Sequence, residues 1–190
     1  MDFINKVWQL TTLRISPEVL PYHRVYLLMG IVFNFVLSYL VTLLIPVTEV
    51  KLEFSPFIAM AMKAVNLFFL GFFLYLILRL FKKSDRFFKL FLAIIWGTLL
   101  IELVNLAISM TPAFVQYLFD VKLATNIGFA VLFNLIVYAS IAWMIVFMGH
   151  IFRFGLDVSR FKGIWIGIGY ILVSGMFSII IFGNPFEGLV

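Results

Sequence analysis

The chain has no cysteine among its 190 residues, and charged side chains make up only 12% of the sequence. Without cysteine there is no disulfide, no thiol nucleophile and no thiolate ligand for a metal. Soluble domains carry about 25% charged residues, because a folded chain must cover itself with polar groups. The shortage of charge therefore argues against an ordinary soluble fold.

Hydrophobic residues make up 64% of the chain, and the mean hydropathy is +1.15. Five apolar runs are about 20 residues long, which matches the ~30 Å thickness of the hydrocarbon layer. The runs are continuous rather than alternating, so they predict helices and not a barrel. We expect a single all-α domain, a polytopic membrane helix bundle. Its predicted spans are about residues 25–45, 57–81, 87–109, 127–149 and 163–182.

The first fifteen residues, MDFINKVWQLTTLRI, show no removable signal peptide. Their apolar side chains recur at helical spacing and predict one hydrophobic face, which comprises Phe3, Val7 and Leu10 together with Ile4 and Trp8. We expect a short interfacial helix that lies on the membrane surface.

Basic residues are distributed unevenly over the predicted loops. Eleven of the fourteen lie before the first span, between the second and third, or between the fourth and fifth, whereas Lys51 and Lys122 fall on the opposite side. Because cytoplasmic loops collect Lys and Arg, the N terminus is predicted to be cytoplasmic and the C terminus external. In these short loops the positive charges would meet lipid headgroups, so we expect membrane lipids as partners and no nucleic acid.

Two ionisable residues fall inside the predicted spans, where a charge is costly. Lys63 and Glu102 each lie about 10 Å below the outer end of their spans, at 1.5 Å per helical residue. The KKSD turn makes these two spans antiparallel neighbours, so a salt bridge is expected.

Asparagines extend this polar cluster. Asn66 and Asn105 share helix faces with Lys63 and Glu102, and Asn134 falls at a similar depth. The first span adds a small and polar stripe that consists of Gly30, Asn34, Ser38 and Thr42. Two interpretations stay open: interhelical hydrogen bonds that hold the bundle together, or an ion path or small-molecule pocket.

Small residues also recur at every fourth position towards the last span, at Gly155, Ser159, Gly163 and Gly167. Such spacing lets two helices approach closely. The stripe predicts packing within the protein or, alternatively, against a second copy.

The segment FMGHIFRFGLDVSR contains His150, Arg153 and Asp157. A zinc site that also uses His23 was considered, but the spacing fits no metal motif. We expect a cytoplasmic interface with an i,i+4 pair between Arg153 and Asp157. The sequence shows no phosphate loop, nucleophile motif or hydrolytic carboxylate pair, so no enzyme, cofactor or metal is predicted.

The LRISPEVLP stretch, the five spans with basic inner loops and the GHIFRFGLDVS connection resemble a group of small proteobacterial inner-membrane proteins similar to the Yip family, whose members interact with Rab GTPases. The DLxGP-type and GYS-type segments of that family are absent, so Rab binding is not carried over. The resemblance implies a bacterial inner-membrane scaffold or adaptor with a periplasmic C terminus.

Three functions are therefore predicted. The first is a non-enzymatic scaffold, adaptor or accessory subunit that binds other membrane proteins or itself. The alternative is a small transporter, permease or ligand-binding protein that uses the Lys63–Glu102 cluster. The third is lipid interaction through the basic loops. A polar cavity would favour the second, and a dry bundle with an exposed small-residue groove would favour the first.

Overall fold

The computed structural model describes residues 2–44, 56–119 and 127–182. Within these ranges the chain is all helical, as predicted, and contains no strand. It forms six long helices: α1 (Asp2–Thr11), α2 (Arg24–Leu44), α3 (Pro56–Leu80), α4 (Phe87–Phe119), α5 (Ile127–Leu156) and α6 (Arg160–Phe182).

Helices α2 to α6 are the five described helices that are long and apolar enough to cross a membrane. Their outward faces carry large hydrophobic side chains, including Leu28, Phe68, Tyr138, Trp165 and Ile180. Apolar surface on all of these helices is expected where lipid replaces water as the solvent. The chain is thus a multi-pass membrane protein.

Helix α4 is the centre of the bundle, because it packs against α1, α2, α3 and α5. Its buried side chains are Leu90, Leu92, Ala93, Ile94, Ile95, Leu99 and Ile101. Leu74 and Leu78 of α3 and Phe147 and Phe152 of α5 join the same core.

Helices α5 and α6 approach each other closely at glycines. A Cβ on Gly163 would lie 2.5 Å from the carbonyl oxygen of Gly149, and one on Gly167 would lie 3.1 Å from the Cβ of Met148. Real Cβ atoms almost never lie as close to another atom as 2.5 Å, and 3.1 Å is already a tight contact. Larger residues at these two positions would therefore force the backbones apart. The prediction that Gly163 and Gly167 face another helix is confirmed, and that helix belongs to the same chain.

The other two members of the predicted stripe lie elsewhere. Gly155 packs against α4, where an added Cβ would overlap Leu90. Ser159 is exposed, and its hydroxyl accepts the backbone N–H of Lys162 at 3.4 Å as α6 begins. The stripe is not one surface, because α5 ends at Leu156 and the chain turns before Ser159.

The ends of the helices differ from the predicted spans. Helix α5 continues beyond residue 149 because Ile151, Phe152 and Leu156 are buried in the core. Helix α6 starts at Arg160, so only residues 157–159 separate the two. Helix α4 extends past residue 109 to Phe119.

The N-terminal helix forms as predicted, but it is built into the bundle and does not only lie on its surface. Val7 and Leu10 are almost completely buried against the core, whereas Ile4 and Trp8 are 67% and 48% exposed. The apolar residues of α1, predicted to form a single face, therefore form two faces. One packs on protein, and the other is open to the surroundings.

Candidate functional site

The predicted ion pair between Lys63 and Glu102 is present. The ammonium nitrogen of Lys63 on α3 lies 2.5 Å from Oε1 of Glu102 on α4. The lysine side chain is 17% exposed and the glutamate 36%. The turn at residues 81–86 joins α3 to α4 and lets the two charges meet at one level of the bundle.

The pair lies between two cavities and lines both. The first, of about 320 Å³, is named the distal cavity and is lined by Leu37, Ser38, Val41, Asn105 and Leu106 beside the pair. The second, of about 370 Å³, is named the proximal cavity because it extends towards the end of the bundle that holds the turn at residues 81–86.

The proximal cavity is lined by all five spanning helices. Its polar residues besides the ion pair are Asn34, Asn66, Thr98, Tyr170 and Ser174, and its apolar residues include Leu67, Leu70, Met144, Met148 and Ile171. Small-molecule sites have this mixture of apolar walls and a few convergent polar groups.

Asn34 also lines this cavity, and its side-chain oxygen is buried without a hydrogen-bond partner. The residue is 1% exposed, and its amide nitrogen donates to the carbonyls of Gly30 and Ile95 at 2.8 and 3.4 Å. Its Oδ1 is the one buried side-chain nitrogen or oxygen without a hydrogen bond in the described part of the chain. Such an atom costs about 1–3 kcal/mol. The oxygen is enclosed by protein atoms, so this cost is part of the packing of α2 on α4.

The predicted polar cluster is brought together only in part. Asn66 lines the proximal cavity, and Asn105 lines the distal cavity and accepts a hydrogen bond from the Ser140 hydroxyl at 2.5 Å. Asn134 is exposed on α5 and is not among the lining residues. Membrane depth, which suggested Asn134, does not determine the direction in which a helix presents a side chain.

At the other predicted interface, Asp157 joins three segments. Its carboxylate accepts from Lys83 at 2.6 Å and from Arg86 at 3.0 Å, and Arg86 also lies 3.0 Å from Glu18. The hydrogen bond from Lys83, followed by that from Arg86, holds the pKa of Asp157 below its usual 3.8. These residues fasten the α5–α6 joint and the segment before α2 to the α3–α4 turn. We name this end of the molecule the basic end.

The predicted i,i+4 pair between Arg153 and Asp157 was wrong. The guanidinium of Arg153 instead lies over the ring of Phe154, 5.0 Å from its centroid. Asp157 has a φ of 54°, the left-handed conformation that ends a helix, and the N–H of Val158 bonds back to the Arg153 carbonyl. Because Asp157 has left the helix, its side chain turns towards α4 and not back along α5.

His150 acts as an anchor for the N-terminal segment. Its Nε2 lies 2.8 Å from the carbonyl oxygen of Ile15, and the indole N–H of Trp143 donates to the Thr11 carbonyl at 2.9 Å. In the ranges that the structure describes, no three His, Asp or Glu side chains gather in a way that could hold a metal ion. The combination of His23, His150 and Asp157 considered from the sequence does not form there.

No protein-family model, curated protein or solved structure matches this chain. The class of protein is therefore defined by its own fold and site, which are a multi-pass membrane helix bundle and an intramembrane ion pair between two cavities. The similarity to Yip-like proteins stays a prediction from the layout of the spans.

Proposed function

We propose that this membrane protein binds a small polar solute at the Lys63–Glu102 pair and acts as a permease for it. The observation that supports this function most directly is the position of the pair, which lines both cavities. A solute that reaches either cavity meets the same two charges.

The physical argument concerns what surrounds the pair. The attraction within a salt bridge is strongest where packed side chains exclude other polar partners, because the local dielectric is low there. Here the side chain of Glu102 is 36% exposed, so its carboxylate remains open to a further partner. A solute with its own polar groups can replace the Lys63–Glu102 bond at little cost and separate the charges as it passes.

A dry bundle with an exposed groove of small residues would have favoured the predicted role as a scaffold, adaptor or accessory subunit. Gly163 and Gly167 are instead covered by α5, so this particular surface is already occupied. That role, the non-enzymatic character and binding to other membrane proteins stay predictions. We also propose a bacterial inner-membrane location with the basic end in the cytoplasm, in line with the positive-inside rule.

The test uses purified protein in mild detergent and follows thermal unfolding by the fluorescence of its four tryptophans. Glycerol, acetate, putrescine and L-leucine represent neutral, anionic, cationic and zwitterionic solutes. A solute that binds the folded state raises the midpoint by mass action. We expect at least one class to stabilise the wild type but not the Lys63→Met/Glu102→Gln double variant.

The control is Asp157→Asn, which changes a carboxylate at the basic end and should keep the response to solute. The solute found is then followed into proteoliposomes, where the wild type should speed its entry and the double variant should not. No stabilisation by any class, or equal stabilisation of wild type and double variant, would contradict solute binding at the pair. Binding without entry would leave a ligand-binding protein and refute the permease.

A further inference from the structure

The hydrogen-bonding groups of the proximal cavity indicate the kind of solute it would hold. Lys63 has three N–H donors, and Glu102 occupies one of them. Glu102, which lines the same cavity, has a second carboxylate oxygen that can accept a hydrogen bond. The cavity thus combines a cationic donor with an anionic acceptor.

Charge balance restricts the solute further. Lys63 and Glu102 cancel, so a solute with a net charge would leave an uncompensated charge in a low-dielectric site. A solute without charges would leave the ion pair intact and give neither residue a charged partner. A zwitterion offers an anion to Lys63 and a cation to Glu102, and the total stays zero.

The remaining lining describes the rest of the solute. Leu67, Leu70, Met144, Met148 and Ile171 form an apolar surface beside the polar groups. The volume of about 370 Å³ is near the lower end of the roughly 300–1,000 Å³ found for small-molecule sites. Methionine side chains are unbranched and adapt to ligands of irregular shape. A compact aliphatic group fits this environment.

We propose that the proximal cavity binds a small zwitterion of the α-amino-acid type with an aliphatic side chain. Its carboxylate binds Lys63, its ammonium binds Glu102, and its side chain contacts the methionines. This assignment rests on the solute-binding function proposed above and names its substrate class.

Isothermal titration of the full-length wild type distinguishes a zwitterion from solutes with a single charge. It uses three probes that share one branched aliphatic group. L-leucine carries both charges, 4-methylpentanoate only the carboxylate and 3-methylbutylamine only the ammonium. We expect L-leucine to bind at least tenfold more tightly than either analogue, because each analogue leaves one buried charge unpaired.

The Lys63→Met/Glu102→Gln double variant removes both charged partners. It should weaken L-leucine binding about tenfold or more, because neither charge of the zwitterion then has its partner. Asp157→Asn, at the basic end, is the control and should keep the affinity. If the double variant does not fold, the three probes on the wild type still decide.

Either analogue binding within about threefold of L-leucine would overturn the zwitterion assignment. It would also fall if L-leucine gave no heat of binding. Stabilisation by glycerol, acetate or putrescine in that case would leave solute binding at the pair intact. A failure of all four solutes would remove both proposals.

Discussion

Separating Lys63 from Glu102 by mutation should destabilise the bundle, and the structure sets the scale. Loss of one partner of a fully buried pair costs ~3–5 kcal/mol, because the other charge is left without compensation. The glutamate side chain is 36% exposed, so we expect a smaller loss. Lys63→Met alone and Glu102→Gln alone should each lower the free energy of unfolding by about 2 kcal/mol.

The double variant decides whether the two losses have one cause. With both charges removed no carboxylate or ammonium stays unpaired, so at least about 1 kcal/mol of the loss should return. The free energy of unfolding is measured by SDS titration and tryptophan fluorescence on all four proteins. Single losses below about 0.5 kcal/mol, or losses that simply add in the double variant, would refute the argument that these residues depend on each other.

Three further predictions concern packing and the basic end. Gly163→Ala should cost about 1–3 kcal/mol in the same titration, since its Cβ would meet the Gly149 carbonyl, whereas Gly175→Ala, with open space among the described residues, should cost nothing. Equal effects would argue against the close α5–α6 contact. Lys82→Gly should raise the free energy of unfolding by about 0.5–1 kcal/mol, because Lys82 is exposed and has a φ of 56°, which glycine adopts without steric cost. A lower free energy of unfolding would mean that contacts of the lysine side chain outweigh its backbone strain. Because the pKa of Asp157 is lowered in the folded state, its carboxylate stabilises the fold above the usual pKa of 3.8, and this stabilisation is lost as the pH falls below it. The free energy of unfolding of Asp157→Asn should therefore decrease less in acid than that of the wild type. Parallel plots of this free energy against pH would exclude the contribution.

The helical bundle and the ion pair could be predicted from the sequence, because both follow from the cost of exposing polar groups to lipid. A continuous apolar run of about 20 residues forms a helix in a bilayer, because a helix satisfies all of its backbone hydrogen bonds internally. Lys63 and Glu102 had equal depth and opposite sign on neighbouring helices, so each needed the other. No such argument determines which cavity forms around them.

The unpaired oxygen of Asn34 could not be predicted from the sequence, because it depends on how the helices pack. Asn34 was recognised in a small and polar stripe, but only the packing of α2 on α4 shows that Ile95 takes one of its amide hydrogens and that nothing described takes its oxygen. Gly149 was missed as the partner of Gly163, since one glycine in a helix carries no sign of a close approach by another helix. The end of α5 was misplaced because Asp157 adopts a left-handed conformation that glycine usually occupies.

The reactivity of two adjacent single cysteines tests the solute-binding site most directly. The natural chain has no cysteine, so Ser174→Cys and Val173→Cys each carry one thiol at nearly the same depth. Ser174 lines the proximal cavity, whereas Val173 is 47% exposed on the outer face of α6. In membranes, a charged maleimide should label Ser174→Cys, because thiolate forms only where water reaches, and leave Val173→Cys unlabelled in lipid. A Ser174→Cys thiol as inert as that of Val173→Cys would show that the cavity is dry and would contradict a solute site at Lys63 and Glu102.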